Sequence, residues 1–326
     1  MDGYEVNEAV QVSSDTKKRK VSIIGAGHVG ASIAYALMLT RLANELVLID
    51  KDRYKAAAEA KDIRHGVPSF GSANIYAGDY KDCGGSDLII VTAGRNRRPN
   101  ESRLDLASDN VAIAYETVKS LEKHYTKGVV MVVSNPVDVI VKKYAEWMQL
   151  PDGVVFGTGC MLDTSRFVRH LADYVGVEHE NIHGYICGEH GDAQVPVWSK
   201  VTVGGVHIDE YCRSVGLSWG NAEKEEISRK VKGIGTEIIR GKGRTHFGIA
   251  TCVAYLADII LNERKIIASV SSTMQGEYGI RDVALSVPSL VGNKGVLQRI
   301  EEQLSADEIN ALRHASNQLN SVLRTI

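Results

Sequence analysis

The sequence is poor in the features that mark disulfide-rich, nucleic-acid-binding and membrane proteins. Its 326 residues include five scattered cysteines without a CxxC pair, which argues against a disulfide framework or a zinc site and predicts reduced thiols. The formal net charge is only -2, so nothing favours nucleic acid or an anionic membrane as a partner. The cysteines are Cys83, Cys160, Cys187, Cys212 and Cys252.

Long apolar runs, repeats and low-complexity linkers are also lacking. The apolar runs 128–133 and 247–261 are too short or too interrupted to cross a bilayer. Residues 1–20 have no signal-peptide core and are interpreted as a polar tail, or as an arm that reaches a neighbouring subunit. We therefore predict a cytoplasmic globular protein with no membrane or nucleic-acid partner and no metal.

A glycine-rich turn follows the first apolar segment. Residues 21–24 are typical of a buried strand, and Gly25, Gly27 and Gly30 form a GxGxxG pattern that opens a helical pattern. The first glycine permits a tight turn, the second lets a pyrophosphate approach the backbone, and the third lets the helix pack on the strand. The strand, turn and helix together predict a dinucleotide site.

An acidic residue ends the second predicted strand. Asp50 follows the apolar segment 45–49 and lies 20 residues after Gly30, where a carboxylate is expected to bind the ribose hydroxyls of adenosine. A carboxylate repels a 2′-phosphate, so the sequence predicts NAD rather than NADP. The adjacent Lys51 weakens this preference slightly.

Two further apolar segments extend the same pattern. Residues 87–92 and 129–133 predict strands separated by helices, which implies an α/β fold with a Rossmann doubly wound parallel sheet. Ligands bind beyond the carboxyl ends of such strands. The predicted cofactor-binding residues at these ends are Gly25, Gly27, Gly30, Asp50, Thr92, Gly94 and Asn135.

Charged residues suited to acid–base chemistry occur in the second half of the chain. Asp163 and Arg166 lie three residues apart at the start of an amphipathic helix, on one face. His190 lies between glycines and carboxylates in the segment GEHGD. A helix cap with a surface ion pair, and a histidine in a polar turn, are the plain structural alternatives.

The domain division is expected near residue 160. We predict a dinucleotide-binding domain over 21–160 and an α+β catalytic domain over 161–326, with part of 245–262 packed on the first domain. A basic segment follows Gly94 and reaches Arg103. This segment is either a solvated loop or a mobile lid that carries guanidinium groups to an anionic substrate.

In combination these motifs resemble the L-lactate/L-malate dehydrogenase family, over nearly the whole chain from Val21 onward. The matching segments, in the family's order, are GAGHVG, ESRLDL, SNPVD, GTGCMLDTSRF, GEHGD and KGRTHFGIA. The resemblance implies a homo-oligomeric NAD enzyme, a tetramer or a dimer, that interconverts a 2-keto acid and an L-2-hydroxy acid.

The resemblance also implies a role for each charged residue. His190 would donate or accept the proton, and Asp163 would bind its other ring N–H. Arg166 would bind the substrate carboxylate, and Arg103 would polarise the carbonyl. Asn135 would orient His190 or the carbonyl by hydrogen bonding.

Two positions point to different substrates. Thr245 resembles the pocket residue of lactate-type members, whereas Arg97 occupies a position where malate enzymes have arginine and lactate enzymes usually have glutamine. Glu101 could partly neutralise the charge of Arg97. Because Arg98 directly follows Arg97, a shift of one position in the segment would place Arg98 at the selectivity position instead. The resemblance as a whole favours pyruvate and L-lactate, and Arg97 leads to the hypothesis that oxaloacetate is a substantial substrate.

A further departure from the family concerns regulation. Many bacterial members bind fructose 1,6-bisphosphate through a histidine, matched here by His183, and an arginine, replaced here by Val168. We therefore predict weak activation or none. A non-catalytic NAD-binding protein is the alternative of another class, but its expected mark would be loss of a charged active-site residue, and none is lost.

Overall fold

The computed structural model describes residues 18–95 and 103–326. The predicted N-terminal arm, apart from its last three residues, lies outside the described residues, as do Arg97, Arg98 and Glu101. Arg103 begins a helix, but its side chain also lies outside the described part.

Six parallel strands form the first half of one large sheet. They are β1 (Lys20–Ile24), β2 (Glu45–Ile49), β3 (Asn74–Ala77), β4 (Leu88–Val91), β5 (Val129–Val132) and β6 (Val155–Gly157). Their order across the sheet is β3-β2-β1-β4-β5-β6, and every neighbouring pair is parallel. This order is that of a doubly wound dinucleotide-binding sheet, and it confirms the predicted Rossmann fold.

Helices cover both faces of this sheet, which explains why its central strands are almost wholly apolar. One buried cluster contains Leu46 and Ile90, and the other contains Val47 and Ile89, so adjacent residues of a strand enter opposite cores. The helices of this half are α1 (His28–Leu39), α2 (Arg53–His65), α3 (Val67–Phe70), α4 (Arg103–Leu121) and α5 (Val137–Met148).

The sequence patterns do not reveal two of the six strands. β3 buries only Ile75 completely, and β6 has three residues. Segments this short contain too few positions for a period of two to be recognised. Their place in the sheet depends on pairing with β2 and β5.

Antiparallel strands continue the same sheet beyond β6. They are β8 (Ile186–Gly188), β9 (Gln194–Pro196), β12 (Ile266–Gln275), β13 (Arg281–Gly292) and β14 (Gly295–Arg299). β12 pairs with β6 and β13, and β13 pairs with β8 and β14. The two halves of the described chain therefore share one sheet.

A small separate sheet contains β7 (Ile182–His183), β10 (Thr202–Val203) and β11 (Val206–His207). Strands β10 and β11 pair antiparallel and form a hairpin, which turns at Gly204 and Gly205 with φ of +57° and +85°. Left-handed backbone of this kind favours glycine.

One helix of the second half completes the core of the first. Helix α9 (Phe247–Leu261) packs against α1, and its Val253 and Leu256 are buried in the cluster that contains Ile33 of α1. No helix in the described ranges is both long enough and apolar enough to cross a membrane. The other helices of this half are α6 (Met161–Val175), α7 (Ile208–Val215), α8 (Asn221–Lys242) and α10 (Ala306–Leu323).

Candidate active site

The glycine turn after β1 is held against the end of β4. Gly25 has a φ of +103°, and a Cβ atom there would lie 2.7 Å from the backbone nitrogen of Ala93. The Thr92 hydroxyl donates a hydrogen bond to the Gly25 carbonyl at 2.7 Å. Thr92, a predicted cofactor-binding residue, therefore uses its side chain to hold the turn.

The other two glycines differ in the space around them. A Cβ at Gly30 would lie 1.9 Å from the Gly25 carbonyl oxygen, so the helix and the turn touch there. A Cβ at Gly27 would meet only the Lys55 ammonium within 4 Å, at 3.9 Å. Open space at Gly27, beside the N-terminus of α1, fits a pyrophosphate that approaches the backbone closely.

Asp50 is fixed beside the same turn. Its Oδ2 accepts a hydrogen bond from the Ala26 N–H at 2.8 Å, and its Oδ1 accepts one from the Asp52 N–H at 3.0 Å. The carboxylate is thus held at the carboxyl end of β2, next to the glycine turn. A ribose with two free hydroxyls fits this acceptor.

The loop between α8 and α9 brings basic side chains to the start of α1. Arg244 donates a hydrogen bond to His28, and Nδ1 of His246 lies 2.9 Å from the Ser32 hydroxyl. Burial and the nearby Lys242 lower the pKa of His246. The Lys55 ammonium lies near Gly27, and among the described residues neither it nor Arg244 forms an ion pair with a carboxylate.

Thr245, the predicted pocket residue, lies in this loop and is half-buried. Its neighbours Arg244 and His246 contact α1, so the loop that carries Thr245 is tied to the glycine turn.

A buried asparagine that the sequence analysis did not identify joins the ends of β4 and β5. Asn110 Oδ1 accepts a hydrogen bond from the Arg95 N–H at 2.9 Å, and Nδ2 donates to the Asn135 carbonyl at 2.7 Å. Gly94 lies against this amide, since a Cβ there would be 3.4 Å from Asn110 Oδ1. One sequence signal could have identified Asn110, because it is a polar residue on the apolar face of α4, between Ala107 and Ala114.

Asn135 itself follows β5 and is exposed. The Asn135–Pro136 peptide bond is cis. The crevice at the carboxyl ends of β1, β2, β4 and β5 thus contains every predicted cofactor-binding residue.

His190 and Asp163 form a close pair although they are far apart in sequence. His190 Nδ1 lies 2.5 Å from Asp163 Oδ2, and the side chains are 27% and 4% exposed. Burial opposes the imidazolium, but the Asp163 carboxylate outweighs it and raises the pKa of His190. The pKa of Asp163 is lowered, since His190 and Arg166 outweigh its burial. The pair therefore favours imidazolium beside carboxylate.

Arg166 shares the same carboxylate. Its Nη1 lies 3.2 Å from Asp163 Oδ1, and its side chain is 16% exposed. Asp163 thus binds His190 through one oxygen and Arg166 through the other. This holds two positive groups next to each other, and an anionic substrate can use both.

A second carboxylate reaches His190 from α5. Asp138 is 2% exposed, and its Oδ2 accepts a hydrogen bond from the His190 main-chain N–H at 2.8 Å. Its Oδ1 accepts one from the Ser271 hydroxyl at 2.6 Å. This aspartate ends the segment SNPVD, and no role for it is predicted from the sequence.

Comparison with known proteins matches this architecture in both halves. The profile of the lactate/malate dehydrogenase NAD-binding domain matches residues 19–157, and that of the lactate/malate dehydrogenase alpha/beta C-terminal domain matches residues 160–326. An L-lactate dehydrogenase of Acetivibrio thermocellus is 38% identical over 308 residues, which is 94% of this chain and 97% of that protein.

Two solved structures are also similar. The minor L-lactate dehydrogenase of Enterococcus mundtii in a ligand-bound form superposes with a TM-score of 0.91 at 37% identity, over 95% of this chain and 98% of that one. An L-lactate dehydrogenase of Clostridium thermocellum superposes with a TM-score of 0.85 at 42% identity, over 95% and 99% of the two chains.

Proposed function

Because this chain belongs to the lactate/malate dehydrogenase family, we propose that it binds NAD(H) and interconverts pyruvate and L-lactate. The relatives and solved structures reported above are L-lactate dehydrogenases, and they do not favour L-malate as the main substrate. The observation that carries the proposal is the buried Asp163 carboxylate, which holds His190 on one oxygen and Arg166 on the other.

The cofactor, when bound, supplies the hydride that reduces the keto acid and accepts it in the reverse direction. The chain offers the open backbone at Gly27, the Asp50 carboxylate and the basic groups of Lys55 and Arg244 to hold it. Asp50 would repel a 2′-phosphate, which supports NAD over NADP.

His190 acts as the acid in keto-acid reduction. Nδ1 is occupied by Asp163, so Nε2 is the nitrogen that gives its proton to the carbonyl oxygen as negative charge develops there. Asp163 stays ionised and stabilises the imidazolium before transfer. In hydroxy-acid oxidation the neutral imidazole takes the hydroxyl proton.

Arg166 orients the substrate. A guanidinium has five N–H donors, and the bond to Asp163 uses one of them, so others can bind the substrate carboxylate in a bidentate manner. This places the carbonyl beside His190 rather than in random orientations. Arg103, Asn135 and Thr245 keep the roles predicted from the sequence, namely polarising the carbonyl, hydrogen bonding and limiting the size of the pocket.

The test follows the oxidation of NADH by the whole chain with pyruvate and with oxaloacetate, and it compares kcat/KM for the two keto acids. We expect efficient turnover of pyruvate, and the absence of pyruvate turnover would refute the proposal. Arg97 supports oxaloacetate as a second candidate substrate, because an arginine at the selectivity position can pair with the second carboxylate of oxaloacetate. An oxaloacetate value thousands of times below that for pyruvate would exclude it. Arg97→Gln should shift preference toward pyruvate.

Three further proposals concern the assembly, the cell compartment and regulation. We propose a homo-oligomer, a tetramer or a dimer, which light scattering with size exclusion measures directly. We also propose a cytoplasmic location, where the five buried free thiols would stay reduced.

Val168 in place of an arginine supports weak or absent activation by fructose 1,6-bisphosphate. A large fall in the pyruvate KM on addition of this sugar bisphosphate would contradict the proposal.

A further inference from the structure

Asp138 is a buried carboxylate with no basic side chain as its partner among the described residues. It lies in the first turn of α5 and is 2% exposed, yet its two oxygens accept hydrogen bonds only from a main-chain N–H and a hydroxyl. Burying a carboxylate is costly unless its surroundings stabilise the charge. Such a group is retained where its charge or its hydrogen bonds serve the site it faces.

We propose that Asp138 is a positioning residue for the proton donor, which fixes the main chain of His190 while Asp163 fixes its ring. The inference rests on the proposed function and deepens it. Two carboxylates from two helices then hold one histidine, and each makes a different bond to it.

The turn that carries His190 needs such a bond. Gly188 on one side has a φ of +88°, and Gly191 follows His190 directly. Glycine on both sides gives the backbone more freedom than other residues would. The Glu189 carboxylate bonds the Ala193 N–H and closes the turn, but it does not reach the His190 main chain. The bond from His190 N–H to Asp138 ties this residue directly to α5.

Asp138 also relates His190 to the other predicted substrate contacts. It lies three residues after Asn135, in the helix that Asn135 and Pro136 precede. Its partner Ser271 pairs in β12 with Gly157 of β6, and β6 leads into the helix of Asp163. One carboxylate thus connects three of the segments that carry predicted substrate contacts. A displacement of about 1 Å at such a site can reduce the rate about 10²-fold.

The charge of Asp138 acts on the imidazole as well. Among the described residues, the charged groups that act on His190 are Asp163 and Arg166 of α6 and Asp138 of α5. Glu189 of its own turn acts on Asp138. Asp163 and Asp138 raise the pKa of His190, and Arg166 lowers it. Burial raises the pKa of Asp138 to about 6, while the bonds from Ser271 and His190 oppose that rise. Deprotonation of Asp138 therefore adds negative charge beside the imidazole.

A second buried carboxylate serves as a matched control. Glu308 of α10 is 8% exposed and bonds the Ser199 hydroxyl at 2.6 Å and the Ser305 N–H at 2.9 Å. It caps its own helix and contacts neither His190 nor Asp163. Glu308→Gln removes a buried charge of the same kind without touching the candidate site.

The experiment compares full-length Asp138→Asn with Glu308→Gln. Asparagine keeps the shape of the side chain but removes its charge, so the charge-assisted bond that holds the His190 N–H becomes a weaker, neutral one and the bond to Ser271 is perturbed. We expect kcat for pyruvate reduction to fall about 10- to 100-fold with little change in pyruvate KM. The alkaline limb of the pH profile should move to lower pH, because a carboxylate that favours the imidazolium is lost. Glu308→Gln should lower Tm and leave both kcat and the alkaline limb unchanged.

A readout independent of turnover separates the inference from the proposed function. NMR titration of the His190 ring, assigned with a His190→Gln variant, should show a lower pKa in Asp138→Asn than in the parent protein, whatever the substrate is. Parent protein that turns over neither acid would refute the function alone. An unchanged His190 pKa and unchanged kcat in Asp138→Asn, or equal shifts in Glu308→Gln, would refute the positioning role.

Ser271→Ala keeps the inference testable if Asp138→Asn does not fold. It leaves both carboxylates in place and removes the hydroxyl that lowers the pKa of Asp138. Asp138 should then gain its proton at higher pH, so the acid limb of kcat should move upward. An acid limb identical to that of the parent protein would contradict the role.

Discussion

The proposed cofactor crevice and the proposed proton-transfer site are built in different ways. The crevice consists of backbone, glycines and one carboxylate at the ends of neighbouring parallel strands, and its basic side chains are exposed. The proton-transfer site consists of buried charges, with His190 bonded to residues 27 and 52 positions away. A phosphate needs N–H groups and space, which a contiguous turn can provide. A proton donor needs fixed charges out of water, which only packing between distant segments provides.

The strongest test of this contrast is His190→Gln. Loss of the proton donor should reduce kcat/KM for pyruvate by about 10²- to 10⁴-fold, the range typical of positioned acid–base groups. The crevice should be unaffected, so NADH should bind with unchanged affinity by fluorescence titration. A parallel loss of NADH binding would show that the two regions are not separable.

Arg166→Gln should have the next largest effect. The substrate carboxylate loses a bidentate, charge-assisted partner, which costs about 3 kcal/mol and reduces kcat/KM for pyruvate about 10²-fold. NADH affinity should again stay unchanged. Arg169→Gln is the matched control, because Arg169 lies on the same helix but pairs with Asp173 at the surface. Equal losses in the two variants would contradict the role of Arg166.

Asp163→Asn should sharpen the contrast through pH. The carboxylate raises the pKa of His190, so the imidazolium persists to higher pH and pyruvate reduction is lost only as pH rises through that raised pKa. Removal of the charge should move the alkaline limb to lower pH and reduce kcat about 10²-fold at neutral pH. The measurement is kcat/KM as a function of pH. An alkaline limb at the same pH as in the parent protein would refute the role assigned to Asp163.

A pair of glycine variants tests the crevice itself. Gly30→Ala places a methyl group 1.9 Å from the Gly25 carbonyl, so it should reduce the free energy of unfolding by about 1–3 kcal/mol. Gly27→Ala has room in the folded chain, since its φ is -76° and only the Lys55 side chain is near. It should keep the parent Tm but weaken NADH binding about tenfold, because the methyl group occupies the space of the pyrophosphate. Normal NADH affinity in Gly27→Ala would refute this location.

The smallest expected effect concerns the basic side chains at the crevice. Arg244→Ala should weaken NADH binding about fivefold at low salt and less at high salt, since exposed charges are screened. Lys294→Ala, in the exposed turn between β13 and β14, is the control and should change nothing. An Arg244 effect that does not depend on salt would indicate lost packing instead of lost charge.

Residues that act locally could be predicted well. The strands before Gly25 and Asp50 occur where the apolar segments predict them, and β2 has the predicted bounds 45–49. Strand β3 and strand β6 could not be predicted, because each is short and exists through its pairing with longer neighbours. The resemblance implies the pairing of His190 with Asp163, and the two side chains are in contact.

The sequence by itself determined the glycine turn and the strands on either side of it, because hydrophobic period, turn chemistry and the GxGxxG spacing all act over short distances. It also limited the chemistry of the second half to His190, Arg166 and the carboxylate of Asp163. Only the tertiary structure decided that Asp138 holds the His190 main chain and that Asn110 joins the ends of β4 and β5. Their partners are remote in the chain, and a buried polar group obtains its role from what packing places against it.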